Sequence, residues 1–353
     1  MLARRAPDAE ASIASATKLM TAYVARRSLR LGETVTASPY QALAAESLLG
    51  LEAGESIAVR DLLYGLLLVS GNDAAVTLAD EAAGSQEAFV AKMNAAARRL
   101  GLEHTSYANP IGLDQPGNYS SARDLAELAI ELREDPALAR IFDSAEYDTA
   151  TGVRPRHLVN RNTLVLTVPW VDGIKTGHTL DAGYVLVGSG ERAGVELVTV
   201  VLGTPGEAER DQATLDLLEH GFSLYRREQP VEQGSRLAAA EVRYQDETLP
   251  LVAGGSVALR AREDQDLDVA VDAPAEVEGP VARGERLGRA TVTLDGEPVE
   301  RVPLRAGRAV GEASALERYD AAVPGPRAVA IVVALVGLGA VLAAVAFLAG
   351  KRR

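Results

Sequence analysis

Three short motifs stand in a fixed order along this 353-residue chain: Ser15-Ala16-Thr17-Lys18, Ser70-Gly71-Asn72 and Lys175-Thr176-Gly177. A bare S-x-x-K arises about once by chance in a chain of this size, so no single motif decides anything. Their chemistry is complementary, however, and it restricts the folds open to the chain. Ser15 and Lys18 lie three residues apart, so on a helix both side chains leave the same face. A serine hydroxyl is a poor nucleophile until a base takes its proton. Lysine serves as that base only where desolvation or neighbouring cations depress its pKa toward working pH. Lys175, arriving on an opposing strand, is expected to supply part of that positive field. The helix start beneath Ser15 offers N–H groups and dipole to a developing oxyanion. A fold that uses all three motifs must bring a helix start, a helix end and a strand to one cleft.

Each motif also has a plainer reading. Taken singly, Ser15 is a helix N-cap and Lys18 a solvated helix lysine. Ser70 and Asn72 then satisfy orphan carbonyls at a helix C-terminus, and Arg161 is a surface arginine beside one of many acids. The neighbourhoods of the motifs decide between these readings.

The remaining composition excludes more than it identifies. A net charge of −13 makes nucleic acid an unfavourable partner. With no cysteine, neither a disulfide framework nor a thiolate metal site is possible. His104, His157, His178 and His220 lie far apart without metal-binding spacing, so no metal and no cofactor is expected.

Periodicity predicts a helix from Ala16 to about Arg27, with Leu19, Met20, Tyr23 and Val24 on one face. A second apolar helix is expected over 60–70, with Ser70-Gly71-Asn72 at its end. Ser85 is expected to cap a helix running to Arg99, and Ser121-x-x-Asp124 to form a capping box for one ending near Arg133. Asn109 to Asp114 reads as a loop. β-rich runs at 184–187 and 195–202 read as a hairpin, with Lys175-Thr176-Gly177 leading into it on an edge strand. An amphipathic helix over 207–226 closes this part. Helices beside an antiparallel sheet give an α+β architecture. Short strands follow at 237–244, 256–261, 267–271, 290–294 and 299–304, with an Asp295-Gly296 hairpin signal between the last two.

The stretches Ile13-Ala14-Ser15-Ala16-Thr17-Lys18-Leu19-Met20, Leu68-Val69-Ser70-Gly71-Asn72-Asp73-Ala74 and Val171-Asp172-Gly173-Ile174-Lys175-Thr176-Gly177-His178-Thr179 closely resemble the low-molecular-mass penicillin-binding proteins, in particular the serine-type D-alanyl-D-alanine carboxypeptidases. The resemblance runs from about residue 3 to about residue 310 and includes Gly279 to Gly288 of the β-rich part. It implies a penicillin-binding, β-lactamase-like transpeptidase fold. It also implies that Ser70 relays a proton between the lysines and the leaving group and that Asn72 binds the substrate's peptide backbone. Lys175, Thr176 and Gly177 would line the strand beside which the peptide lies. By the same resemblance the N–H groups of Ser15 and His178 form the oxyanion hole. Arg161, in Asn160-Arg161-Asn162, helps Thr176 hold the free carboxylate of the terminal D-alanine. The implied partners are a peptidoglycan stem peptide ending in D-Ala-D-Ala and β-lactam antibiotics. One departure is Ile111, where many relatives carry histidine; it is expected to lie off the proton path.

The expected organisation is a catalytic domain over 1–228, a β-rich domain over 229–305, a linker over 306–327 and a transmembrane helix over 328–350. The last run is uncharged and about 23 residues long, which as a helix rises about 35 Å. Lys351, Arg352 and Arg353 would hold its end in the cytoplasm. The expected location is therefore a bacterial cell membrane, single-pass, with the catalytic domain outside. Met1 to Pro7 carry no apolar signal segment, and relatives precede the nucleophile by several tens of residues, so the start is expected to lie upstream. Rival readings are a D,D-endopeptidase or β-lactamase on the same fold, a non-catalytic wall-binding protein, or a chain whose β-rich domain is the working part. No acidic deacylation motif is evident between Asn72 and Lys175, which weakens the lactamase reading.

Overall fold

The computed structural model describes residues 1–322 and four isolated positions, Ala334, Gly337, Gly339 and Val341. The chain forms two compact units, Met1–Tyr225 and Arg226–Arg353.

Five helices build the interior of the first unit: α1 (Thr17–Ser28), α2 (Val59–Leu67), α3 (Asn72–Ala83), α4 (Gln86–Arg99) and α5 (Ala122–Arg133). The apolar stripe of α1 is buried as its spacing requires, with Leu19 and Met20 fully enclosed and Tyr23 and Val24 nearly so. Arg26 and Arg27 occupy its last turn, where cations complement the helix dipole. Gly84, at φ +81°, ends α3 in the left-handed conformation that glycine tolerates best. The adjacent Ser85 Oγ starts α4 by accepting from the Ala88 N–H at 3.1 Å.

Two expectations need correcting here. The apolar helix stops at Leu67 rather than Ser70, and Asn72 opens α3 instead of closing α2. The reason is a sharp turn: Ser70 takes φ +62°, and the Asn72 N–H leaves the helix to donate to Ser47 O at 2.8 Å. At α5, Ser121 Oγ caps the Asp124 N–H at 3.2 Å, but the box is not reciprocal. Asp124 instead accepts from the His104 N–H at 2.8 Å and from Thr105 Oγ1 at 2.6 Å, tying down the preceding loop.

Short pieces unseen in the sequence complete the frame. β1 (Thr34–Thr36) pairs with β2 (Ser56–Ala58), and β3 (Glu146–Asp148) with β4 (His157–Val159). Helices α6 (Pro136–Phe142) and α7 (Thr163–Thr167) follow the same pattern of brief, locally capped turns. The main sheet is antiparallel in the order β5 (Val171–Thr179), β6 (Gly183–Arg192), β7 (Val195–Thr204). Lys175-Thr176-Gly177 thus lies within its own edge strand. Val185 and Val187 of β6 pack into the helical core, while Leu186 packs with Leu218 and Phe222 of α8 (Glu207–Ser223) on the other face. Lys175 and Gly177 stand opposite Val187 and Val185, so both face the helical side, where Ser15 lies.

The second unit begins at Arg226, within β8 (Tyr225–Val231), three residues before the division expected from sequence. Its Arg226, Arg227 and Glu228 are exposed, so the strand lacks the alternation that marks one. β9 (Arg236–Val242), β10 (Thr248–Ala253), β11 (Val257–Arg262), β12 (Leu267–Asp272), β13 (Glu276–Val277), β14 (Arg286–Leu294) and β15 (Glu297–Ala306) follow. Among the described residues they form one sheet in the order β12-β14-β15-β10-β9-β13 and a β11-β8 pair. Asp295 and Gly296 turn between β14 and β15 with φ of +53° and +83°, the backbone a two-residue hairpin needs. Leu249, Leu251, Ala290, Val292 and Leu304 close the core of this unit.

The stretch expected to be a linker from residue 306 is partly built into this unit. Val310 exchanges two backbone hydrogen bonds with Val281 at 2.9 Å and is buried, and Ala315–Ala322 forms α9. Among the described residues no helix is long and apolar enough to cross a membrane. The expected transmembrane helix over 328–350 lies outside the described residues, apart from the four positions named above.

Candidate active site

Ser15 sits in a single 3-10 turn, Ala14–Ala16, that runs directly into α1. It is partly exposed, while Lys18 in the first turn of α1 is fully buried. Lys18 Nζ lies 3.0 Å from Ser15 Oγ and donates to the carbonyl of Ile111 at 2.5 Å. Burial, reinforced by the Arg161 guanidinium, lowers Lys18 to about 7 against the opposing pull of Glu46 and Asp73. The plainer reading of Lys18 as a solvated lysine is therefore wrong, and the amine is poised to hold or release a proton at neutral pH.

The loop that supplies the Ile111 carbonyl is built around Asn109, whose Oδ1 accepts from the Gly112 N–H at 2.7 Å and the Ile111 N–H at 3.2 Å. Gly112 takes φ +87°, and a Cβ there would lie 2.1 Å from Ala14 O, so the loop presses directly on the nucleophile's turn. Asp114 fixes its far end by accepting from Ser12 Oγ at 3.0 Å and Thr179 Oγ1 at 2.7 Å. The expectation at residue 111 concerned its side chain, an isoleucine where many relatives carry histidine; its contact with Lys18 is made by the backbone carbonyl and does not depend on the side chain present.

Ser70 is buried, and its Oγ has no hydrogen-bond partner among the described residues. Such a hydroxyl costs stability unless something else uses it. Asn72 Nδ2 donates to Glu46 Oε2 at 2.7 Å. Neighbouring Asp73 anchors the segment carrying Glu46, accepting from the N–H groups of Leu49, Gly50 and Leu51 at 2.8, 2.8 and 2.9 Å.

On the edge strand Lys175 is buried and donates to Thr176 O at 2.8 Å. Burial pushes it well below the usual lysine value, and the charges of Lys18, Arg161 and Arg210 add to the effect. Arg161 is a further cation acting on Lys18, and Lys18 and Lys175 bear on one another. Thr176 is nearly buried. Gly177 owes its size to the chain itself: a Cβ there would lie 3.0 Å from the Ser15 N and 3.1 Å from Ala14 Cβ. His178 is exposed, its ring leaning on Tyr184 at 4.1 Å between centroids.

The two asparagines beside Arg161 are scaffolding. Asn160 Nδ2 donates to Ser144 O at 3.0 Å, and Asn162 Nδ2 donates to Gly173 O at 3.1 Å, at the root of the strand that carries Lys175. The Arg161 N–H donates to Leu68 O at 3.0 Å, two residues before Ser70. Its guanidinium is exposed and donates to Ser47 Oγ at 2.5 Å. One short loop thereby links the second and third motifs.

The sequence missed Tyr40, Glu46 and Ser47, which lie in an irregular stretch between β1 and β2 without a motif of its own. Among the described residues no group of three or more His, Asp or Glu could hold a metal. A partly exposed serine, a buried amine of lowered pKa beside it, a free buried hydroxyl and an exposed guanidinium suit acyl transfer to serine from a substrate with a carboxylate end.

The profile of a D-alanyl-D-alanine carboxypeptidase family matches residues 1–206, and that of the penicillin-binding protein 5 C-terminal domain matches residues 225–312. The D-alanyl-D-alanine carboxypeptidase DacF of Bacillus subtilis is 32% identical over 303 residues, 83% of this chain and 78% of that one. DacC of Escherichia coli, another D-alanyl-D-alanine carboxypeptidase, is 33% identical over 321 residues, 86% of this chain and 79% of that one. Penicillin-binding protein 5 from Haemophilus influenzae superposes with a TM-score of 0.60 at 29% identity, covering 88% of this chain and 94% of the other.

Proposed function

The chain belongs to the D-alanyl-D-alanine carboxypeptidase family of serine peptidases, and on that premise we propose that Ser15 is its nucleophile and Lys18 the base that activates it. The observation that carries this reading is the 3.0 Å contact between Ser15 Oγ and a wholly buried Lys18 whose pKa is lowered to about 7. Ser15 Oγ attacks the carbonyl of the penultimate D-alanine while Lys18 takes its proton. The terminal D-alanine leaves, its nitrogen protonated through Ser70, whose buried hydroxyl has no partner of its own among the described residues. Water then hydrolyses the ester, with Lys18 again the base. The N–H groups of Ser15 and His178 receive the oxyanion. Asn72 and the edge strand at Lys175, Thr176 and Gly177 align the peptide. Arg161 with Thr176 receives the free carboxylate, a reading supported by the exposure of the guanidinium and by its anchorage at Ser47.

The substrate is a peptidoglycan stem peptide ending in D-Ala-D-Ala, and β-lactams acylate the same serine because their ring imitates that end. The uncharged run over 328–350 and the basic residues after it support a membrane anchor with the catalytic unit outside the cell. Release of free D-alanine from a synthetic peptide ending in D-Ala-D-Ala tests the reaction. One D-alanine per peptide is expected, lost in Lys18→Met; a folded protein releasing none would overturn the reading.

A further inference from the structure

Tyr40 and Glu46 lie in the irregular stretch between β1 and β2, and both reach the Ser70-Gly71-Asn72 turn. Glu46 Oε2 accepts from Asn72 Nδ2 at 2.7 Å and also from the Tyr40 hydroxyl, while Oε1 accepts from the Leu43 N–H at 3.0 Å. Partial burial works against the Glu46 charge, but these donors and the charge of Lys18 outweigh it and hold the carboxyl below its usual value. Tyr40 is pushed up by burial and by Glu46, so it remains a donor. A carboxylate can only accept, so the Asn72 amide has one orientation open to it: NH2 toward Glu46, Oδ1 away. The segment is not free to drift, because Asn72 N–H donates to Ser47 O at 2.8 Å and Asp73 takes three of its N–H groups. Residue 47, next in the chain, holds the Arg161 guanidinium at 2.5 Å.

We propose that Glu46 is a positioning residue for catalysis: oriented by Tyr40, it locks the Asn72 amide in the plane that leaves Oδ1 for the backbone of the bound peptide. Three satisfied donors argue that the carboxylate is an internal brace and not a receptor for a substrate cation. The brace carries a second consequence. The charged groups acting on Lys18 are Glu46 and Asp73, which favour its protonated form, and Arg161, which opposes it; Lys175 lies beside them and is itself pressed by Lys18. Glu46 therefore also bears on where the Lys18 base titrates, raising it against the larger effect of burial.

The inference rests on the proposed role of Asn72 in binding peptide, and the experiment separates the two. Steady-state kinetics with a peptide ending in D-Ala-D-Ala are measured from pH 5.5 to 9 for wild type, Glu46→Ala, Glu46→Gln, Asn72→Ala and Glu46→Ala/Asn72→Ala, with Ser15 penicillin labelling as a check on each preparation. Glu46→Ala should lower kcat/KM about tenfold or more. Glu46→Gln, which keeps an acceptor for Asn72, should restore most of that loss yet move the rising limb of the profile to lower pH. Beside Asn72→Ala, the second change should cost less than about twofold at the plateau. Additive losses, or a Glu46→Gln variant as impaired as Glu46→Ala with its limb unmoved, would overturn the inference while leaving the Ser15 mechanism standing. No loss in Asn72→Ala would instead count against the site reading and the inference together.

Discussion

Gly177 and Ser15 meet backbone to backbone: a Cβ on Gly177 would lie 3.0 Å from the Ser15 nitrogen and 3.3 Å from Ile13 O. Neither neighbour is a flexible side chain, so Gly177→Ala must shift the edge strand or the turn that carries Ser15 by a few tenths of an ångström. Overpacking of this kind costs about 1–3 kcal/mol of stability. The larger effect should be on acylation, because the strand packs directly against the turn that carries Ser15. The rate of penicillin labelling should fall about tenfold or more while the protein remains folded. A labelling rate equal to wild type would show that the strand and the Ser15 turn are not coupled.

Lys18 predicts the pH dependence. With its pKa lowered to about 7, the amine is a free base above that pH and an ammonium below it. The acylation rate should rise about tenfold per pH unit below 7 and level off above it. A flat profile between pH 5.5 and 8.5 would exclude Lys18 as the titrating base.

The same burial has a cost in stability with a defined sign. In the unfolded chain Lys18 keeps its proton up to its ordinary value of 10.5, whereas in the fold it loses it near 7. Between those values the unfolded state binds more protons, so raising the pH favours folding; below about 7 both states are protonated and that gain is absent. Lys175 is shifted in the same direction. Urea unfolding should show stability increasing from pH 7 to pH 9, with a shallower slope in Lys18→Met. An unchanged slope in that variant would mean the lysine is not buried.

Arg161 predicts a split between two ligands. Its guanidinium is exposed and held by Ser47, ready for a carboxylate at the end of the peptide. Arg161→Ala should cost peptide turnover about 1.5–3 kcal/mol, the range for hydrogen bonds to charged groups. Penicillin labelling should suffer less. Equal losses in both assays would contradict the carboxylate clamp.

The apolar run over 328–350 makes a separate prediction about location. Expressed with an export signal, the full chain should sediment with membranes and resist alkaline extraction. A chain ending at residue 327 should be released in soluble form. Equal release of both would remove the anchor.

The pairing of Ser15 with Lys18 was legible from their spacing on one helix face, whereas Arg161 in its Asn-Arg-Asn stretch was picked out by the family resemblance. The helices over 17–28, 86–99 and 122–133 were legible for similar reasons, since period and caps are local. What escaped is held by contacts distant in sequence. The position of Glu46 is set by Asp73 gripping Leu49, Gly50 and Leu51, and no local pattern announces that grip. The partner of Lys18 is a backbone carbonyl at Ile111, which no side chain encodes. β1 to β4 are three residues each, too short to establish an alternation. The end of α2 was misjudged because Ser70 adopts a left-handed backbone, a choice imposed by the turn into α3.

The central claim is that Ser15 is the acylated nucleophile. Intact mass after penicillin treatment, measured on the chain without residues 328–353 and on its Ser15→Ala variant, tests it most directly. The mechanism predicts one penicilloyl adduct on the first protein and none on the second. An adduct that persists in Ser15→Ala, or a folded parent protein that gains no mass, would contradict it.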